Sequence, residues 1–388
     1  MWSKNSYTSK VNAQEILYES AHELGIVTQT LSTFSSVVDS TDILLFSQDM
    51  KEVAKNRKFL FHIGDCAELF ENCNTEYLDL QLKLFTDASE ALEKGLRKSV
   101  CVVGRIAGQY AKPRSERMER YGSKELLSYY GDIVNSCRNT KIDRLPDPDR
   151  MMIAYLYSKK TFEYINQWEQ RYQKKIYISH EALLLPYEQA FTKKYGDKWY
   201  NTSCHFPWIG MRTAFAESSH IEYIRGIQNP IAIKLGPNIS LNDILEIANI
   251  LNPTNTPGKL TFIYRFGVKL IEQKLVALIN EIKKTNINVI LCCDPMHGNT
   301  KKNNNGIKIR KVSDIIEELK IAINLHKKLE VSLGGIHLEA CGSDIYECVE
   351  DEDIKPQKYK TKVDPRLNYS QTMKVLQEVL SELNYNNK

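Results

Sequence analysis

The chain has 388 residues, 42% hydrophobic and 26% charged, with a formal net charge of +4; these values suit one large globular domain or two smaller ones. So small a positive excess argues against nucleic-acid binding as the main activity, no segment is long and apolar enough to cross a membrane, and the first residues do not read as a secretory leader. Nine cysteines in no repeating framework read as the reduced thiols of a cytoplasmic enzyme, available as ligands rather than staples.

Residues 1–55 are polar and helix-like and read as an N-terminal helical extension to a catalytic domain over 56–388. Short β-rich runs then alternate with amphipathic stretches. The runs are Phe59–Ile63, Val100–Val103, Ile176–Ile178, His205–Ile209, Ile231–Lys234, Leu260–Tyr264, Val289–Cys293 and Gly335–Leu338. The stretches include Leu241–Leu251, Val268–Lys284 and Val312–Leu329. Eight strands alternating with helices predict an α/β protein, a closed (β/α)8 TIM barrel, although an open doubly wound sheet has the same alternation. The interval from 116 to 175 exceeds a simple crossover and is expected to hold extra helices after the second strand. Asn303-Asn304-Asn305-Gly306 marks a loop tip.

Polar clusters favour the barrel, because nearly all of them fall just after a predicted strand. Asp65 and Cys66 follow the first, and Ser179-His180-Glu181 follow the third. Arg212 follows the fourth, Lys234 ends the fifth, and Arg265 ends the sixth. Asp294 and His297 follow the seventh, and His337 and Glu339 end the eighth. Active sites of such barrels gather at the C-terminal strand ends. The second strand releases the densest cluster: Arg105, Lys112, Arg114 and Ser115 leave it over a backbone shaped by Gly104, Gly108 and Pro113. Arginine forks, a compact lysine charge and a neutral hydroxyl suit a small substrate with more than one anionic group.

Cys66, His297, Glu339 and Asp364 form a candidate metal set. One thiolate, one imidazole and two carboxylates suit Mn²⁺, Fe²⁺, Co²⁺ or Zn²⁺ better than Ca²⁺ or Mg²⁺. The bland alternative is a buried cysteine, a capping histidine and two surface acids; His337 is an alternative ligand. Arg212, Lys234 and Arg265 are either rim charges paired with acids or anion ligands. Lys234, ending an apolar strand, must be paired or bind something. Lys112 and Lys234 are also candidates for a Schiff base with a carbonyl substrate. The run from Lys301-Lys302 to Arg310-Lys311 reads as a solvated loop rather than a nucleic-acid patch.

These segments resemble the class II 3-deoxy-D-arabino-heptulosonate 7-phosphate (DAHP) synthases. The matching motifs are Gly64-Asp65-Cys66-Ala67-Glu68, Gly104 to Ser115, Ser179-His180-Glu181-Ala182-Leu183, Trp208-Ile209-Gly210 and Lys234-Leu235-Gly236-Pro237. Arg265-Phe266-Gly267, Asp294-Pro295-Met296-His297-Gly298-Asn299-Thr300, Gly334 to Glu339 and Asp364-Pro365-Arg366-Leu367-Asn368 complete the series, in family order. No single motif carries the match; the ordered set does.

The resemblance implies a metal-dependent transferase that condenses phosphoenolpyruvate with erythrose 4-phosphate, in the shikimate pathway or a secondary-metabolite branch of it. By position, Cys66, His297, Glu339 and Asp364 match the metal ligands, with Mn²⁺ the first expectation. Arg105 and Lys112 match groups near the phosphoenolpyruvate carboxylate, with Lys112 placed to move a proton. Arg212, Lys234 and Arg265 match the phosphoenolpyruvate phosphate clamp, and Arg114 and Ser115 the aldose-phosphate site. A metal route makes the Schiff base unnecessary. A homo-oligomer, dimer or tetramer, is implied by the family alone. The extension looks short for strongly feedback-regulated members, so weak or absent inhibition by aromatic amino acids is expected.

The chain departs from the family pattern at Met211, where an acid is usual, at Ala214, where an arginine is usual, at His62-Ile63, and in the turn from Ala340 to Tyr346. These departures are expected to cluster around the substrate cleft. They keep two alternatives open: a sister synthase taking another aldose phosphate, such as an amino-substituted one, and a catalytically silent paralogue.

Overall fold

Each of the eight apolar runs forms a strand, and the eight close into one parallel barrel with a strand order that follows the chain. The computed structural model describes residues 2–350 and 358–385. The barrel strands are β1 (Lys58–Gly64), β2 (Ser99–Arg105), β3 (Ile176–Glu181), β4 (Phe206–Ile209), β5 (Ile231–Leu235), β6 (Leu260–Tyr264), β7 (Ile290–Cys293) and β8 (Gly335–Glu339). β8 pairs back onto β1, with His62 opposite His337 and Gly64 opposite Glu339. This is the expected (β/α)8 barrel. Alternation explains its two layers of core: Phe59, Phe61 and Ile63 pack outward against helices, while Leu60, Val103, Phe206, Trp208 and Ile263 share the interior.

The helices follow the strands in turn. α3 (Thr75–Leu96), α4 (Arg150–Tyr172), α5 (Leu185–Ala190), α6 (Ser219–Ile224), α7 (Leu241–Leu251), α8 (Ile271–Thr285), α9 (Val312–Lys328) and α10 (Tyr369–Tyr385) close the successive crossovers. Several start on a side-chain cap: Asn74 accepts the Tyr77 N–H, Ser218 that of Ile221 and Ser240 that of Asp243. In the interval from 116 to 175, where extra helices were expected, α4 is the one helix, preceded by an antiparallel hairpin, Met118–Tyr121 with Lys124–Leu127. The Asn303–Gly306 tip turns a second hairpin, Lys301–Lys302 with Lys308–Lys311.

The first fifty-odd residues carry α1 (Ala21–Thr33) and α2 (Ser40–Ala54). Asp39 caps α2 by accepting the N–H groups of Thr41 and Asp42. α2 puts Phe46, Met50 and Val53 into the same cluster as the barrel interior, with the Phe46 ring 4.7 Å from Tyr177 and 5.3 Å from Phe206. It thereby stoppers the barrel at the start of its strands, leaving the opposite end for chemistry.

Candidate active site

The C-terminal strand ends and the loops beyond them enclose a cavity of about 400 Å³. Cys66, Arg105, Lys112, Arg114, Ser115, Arg212, Lys234, Arg265, His297 and Asp364 all line it. Glu339 is fully buried behind it, with Oε1 3.0 Å from His297 Nε2. Every residue assigned a site role from the sequence therefore meets at one place, His337, the alternative ligand, excepted.

Cys66, His297 and Asp364 present ligand atoms within 4.8 Å of one another. His297 Nδ1 lies 2.6 Å from Asp294 Oδ2. With a Nδ1–H donated there, the Nε2 lone pair meets a Glu339 oxygen. Two electron pairs converging on one spot are what a shared cation reconciles, and a carboxylate behind a histidine is the usual support of a metal ligand. Positive charge already favours the spot: Lys112 Nζ lies 2.8 Å from Cys66 Sγ and 2.6 Å from Asp364 Oδ2. Burial pushes the Cys66 thiol up to about 12, so taking up a metal there releases a proton. The donor set fits a divalent transition metal.

His337, the alternative ligand, sits instead in a buried hydrogen-bonded chain. Lys234 Nζ (3.0 Å) and Arg105 Nη1 (3.3 Å) both face His337 Nε2, which must accept. Nδ1–H then donates to His62 Nδ1 (2.9 Å), His62 Nε2–H to Ser179 Oγ (2.7 Å), and Ser179 to the Gly104 carbonyl (3.0 Å). Burial holds both imidazoles well below their usual range, hence neutral. His337 Nε2 is thus engaged by Lys234 and Arg105 and its Nδ1 by His62, although Asp294, His297 and His337 also present ligand atoms within 4.8 Å of one another. His62 is fully buried, so this departure lies in the barrel core beneath the cleft, not at the cleft as expected. Replacing His62 with leucine should leave His337 Nδ1–H without an acceptor and cost about 1–3 kcal/mol, read from the denaturant midpoint; an unchanged midpoint would refute the chain.

The cations are organised by aromatic and acidic groups. Arg105 Cζ and Lys234 Nζ lie 5.0 and 4.7 Å from the Trp208 ring centroid. Lys234 also reaches Asp294 Oδ2 at 3.2 Å. Burial lowers its proton affinity to about 8, against the pull of Asp294. Arg265 Nη2 donates to the His297 carbonyl, while its buried Nε and the Trp208 Nε1 have no hydrogen-bond partner among the described residues. Orphaned donors beside a cavity suit an oxyanion ligand.

On the opposite wall, Arg212 donates to Ser115 Oγ at 2.6 Å, and Arg114 to Glu119 at 2.5 Å. Met211 is exposed at the mouth; its sulfur lies over Gly236, where a Cβ would come within 2.0 Å of it. Ala214 is buried.

The sequence reading gave no role to some residues that build the site. Lys308 and Arg310, read as part of a solvated loop, engage Asp364 Oδ1 and Glu339 Oε2 at 2.6 Å each, and Arg310 is fully buried. Their apolar partner at Ile309 and strand alternation were the available signal. Glu68 accepts the N–H groups of Ala107, Gly108 and Gln109 at 3.1, 2.9 and 2.7 Å. It holds a turn in which Ala107 has φ +62° and Gly108 φ +153°, a conformation that would otherwise be strained. Glu181 lines the cavity with a buried Oε1 that has no hydrogen-bond partner among the described residues, and burial raises its pKa despite Lys234 and Lys112 nearby.

Comparison with known proteins gives the family and the fold. The model of the Class-II DAHP synthetase family matches residues 2–172 and 166–379. A phospho-2-dehydro-3-deoxyheptonate aldolase of Neurospora crassa is 34% identical, covering 96% of this chain and 92% of that protein. A protein of the same name from Streptomyces coelicolor is 33% identical, covering 95% of this chain and 94% of that one. Among solved structures, a phospho-2-dehydro-3-deoxyheptonate aldolase from Francisella tularensis superposes with a TM-score of 0.58 over 96% of this chain and 98% of that one. At 15% identity, that likeness concerns the fold alone.

Proposed function

Because the chain belongs to the class-II DAHP synthetase family, we propose that it joins phosphoenolpyruvate to erythrose 4-phosphate, giving DAHP and inorganic phosphate at the head of the shikimate pathway or a branch of it. The observation that carries the reading is the convergence of Arg105, Lys112, Arg212, Lys234 and Arg265 on the same cavity as the Cys66, His297 and Asp364 donor group. Two phosphates and a carboxylate would repel one another in a cleft without such cations.

Arg105 and Lys112 are assigned to the phosphoenolpyruvate carboxylate, and Lys234, Arg265 and Arg212 to its phosphate. Arg114 and Ser115 are assigned to the acceptor's phosphate. Cys66, His297, Glu339 and Asp364 would hold the divalent metal, Mn²⁺ by first expectation, which when bound supplies Lewis-acid polarisation of the acceptor carbonyl. The methylene carbon of phosphoenolpyruvate attacks the aldehyde carbon, forming the new C–C bond, and Lys112 Nζ gives a proton to the resulting oxygen. Water adds at the enol carbon, one of its protons passing to Glu181, and the C–O bond to phosphate breaks to leave the ketone, the second proton departing on the inorganic phosphate. The proton gained by Glu181 balances the one Lys112 delivers.

The test is release of inorganic phosphate and loss of phosphoenolpyruvate when purified protein, Mn²⁺ and erythrose 4-phosphate are combined. Absence of turnover overturns the reading. Met211, an uncharged side chain at the mouth, favours one second reading, a synthase for another aldose phosphate; a panel of such sugars that outperforms erythrose 4-phosphate would select it. Glu181→Gln is expected to lower kcat by about 10²-fold with both KM values within a few-fold, in steady-state kinetics.

A further inference from the structure

The residues preceding α1 run along the rim of the active-site end. Trp2 Nε1 donates to the Glu222 carbonyl at 2.9 Å, and Tyr7 OH to Gln189 at 2.6 Å. Lys10 pairs with Glu217 at 2.9 Å, and the Val11 carbonyl accepts the Ser219 N–H at 2.8 Å. These ties fasten the segment to α5 and α6 and to the end of the loop after β4, the loop that carries Met211 and Arg212. The segment then crosses to the loop after β2, and its contact there is made by one side chain. Gln14 Oε1 accepts the Arg114 N–H at 2.8 Å, and Gln14 Nε2 donates to the Arg114 carbonyl at 3.0 Å. A side-chain amide thus pairs with both main-chain groups of one residue, as a neighbouring strand would.

Arg114 has little other backbone support. It follows Pro113, which has no N–H. The neighbouring anchors are Lys112 N–H to the Tyr130 carbonyl (2.8 Å) before it and Ser128 Oγ to the Glu116 carbonyl (2.7 Å) after it. The next residue, Ser115, receives Arg212 from the opposite wall. The Gln14 pair therefore fixes the stretch where the two walls of the cleft meet.

We propose that Gln14 is a positioning residue for the acceptor half of the site: by pinning the Arg114 main chain, it sets where Arg114 and Ser115 present themselves to the aldose phosphate. This rests on the assignment of those two residues given above. Merely tacking down the N-terminal segment is a poorer account, because Trp2, Tyr7, Lys10 and Val11 already do so.

Two variants test it. Gln14→Leu keeps the volume and loses both bonds; Gln14→Glu keeps the acceptor for the Arg114 N–H. The leucine variant should raise KM for erythrose 4-phosphate about ten-fold, the scale of one to two lost hydrogen bonds. KM for phosphoenolpyruvate should stay within about two-fold, and the glutamate variant should fall between leucine and wild type. Amide hydrogen exchange at Arg114 should quicken in the leucine variant, while both variants melt near the wild-type temperature. KM values that rise together, a KM for the sugar that does not move, or unaltered exchange at Arg114 would each overturn the proposal. A wild-type protein that turns over no aldose phosphate would instead sink the functional reading, and the exchange measurement would still decide whether Gln14 holds Arg114.

Discussion

Replacing Lys112 with methionine is expected to cut kcat by about 10²–10⁴-fold, the range for a positioned proton donor, while the amount of metal bound stays at the wild-type level. Lys112 Nζ touches Cys66 Sγ and Asp364 Oδ2, two of the four proposed ligands. Burial alone would lower its proton affinity, but Asp364 and Cys66 raise it above the ordinary lysine value. A charged ammonium is thereby held in the cavity, where the proposed reaction would put negative charge on the acceptor's oxygen. Methionine matches the stem and removes the proton. Asp364 keeps Lys308 as a partner at 2.6 Å, so the ligand group should keep its place. Steady-state kinetics at saturating substrates, with metal analysis of the same sample, decides the matter. A loss of metal as large as the loss of kcat would reassign Lys112 to holding the ligands.

Arg105→Lys should lower kcat/KM for phosphoenolpyruvate by about 10²-fold or more, the scale of a broken buried charge contact. The guanidinium donates through Nε to the Asp65 carbonyl (2.7 Å), and through Nη2 to the Cys66 carbonyl (2.7 Å) and Glu339 Oε1 (3.2 Å), while Nη1 faces His337. A point charge with three donors cannot span that fork. Lysine would keep the charge and release the Cys66 backbone, so the loss should appear in both kcat and KM. If lysine restored nearly full activity, the fork would be dispensable and charge alone would suffice.

The barrel was legible because each strand is a short apolar run with a charged residue at its end or within three positions of it, and that charge also marks the active-site end. The candidate ligands and cations were legible for the same reason, strengthened by the ordered family motifs. What stayed hidden depends on partners far away in the chain. Nothing beside His62 announces His337, and nothing beside Glu68 announces that its carboxylate will gather three N–H groups of the turn after β2. Arg310 lies in a basic run and reads as solvated until strand pairing turns it inward to Glu339. The hairpin before α4 was missed because Met118–Tyr121 and Lys124–Leu127 are largely exposed, so no apolar alternation marks them.

The stoppering of the barrel by α2 bears on how the chain is made. Phe46, Met50 and Val53 leave the ribosome before any barrel strand, yet their companions include Phe206, Ile263 and Ile290. Leu60 follows almost at once, and Val103 and Tyr177 later, but at about 5–20 residues per second the apolar face of α2 waits roughly ten seconds or more for Phe206 and longer for Ile263 and Ile290. The newborn chain therefore carries a helix whose apolar face is only partly covered through much of its synthesis, and the barrel closes over it only when the eighth strand has emerged to pair with the first. Chaperone demand should track this interval, and polar replacements at Phe46 should harm yield in cells more than they harm the catalytic end of the finished protein.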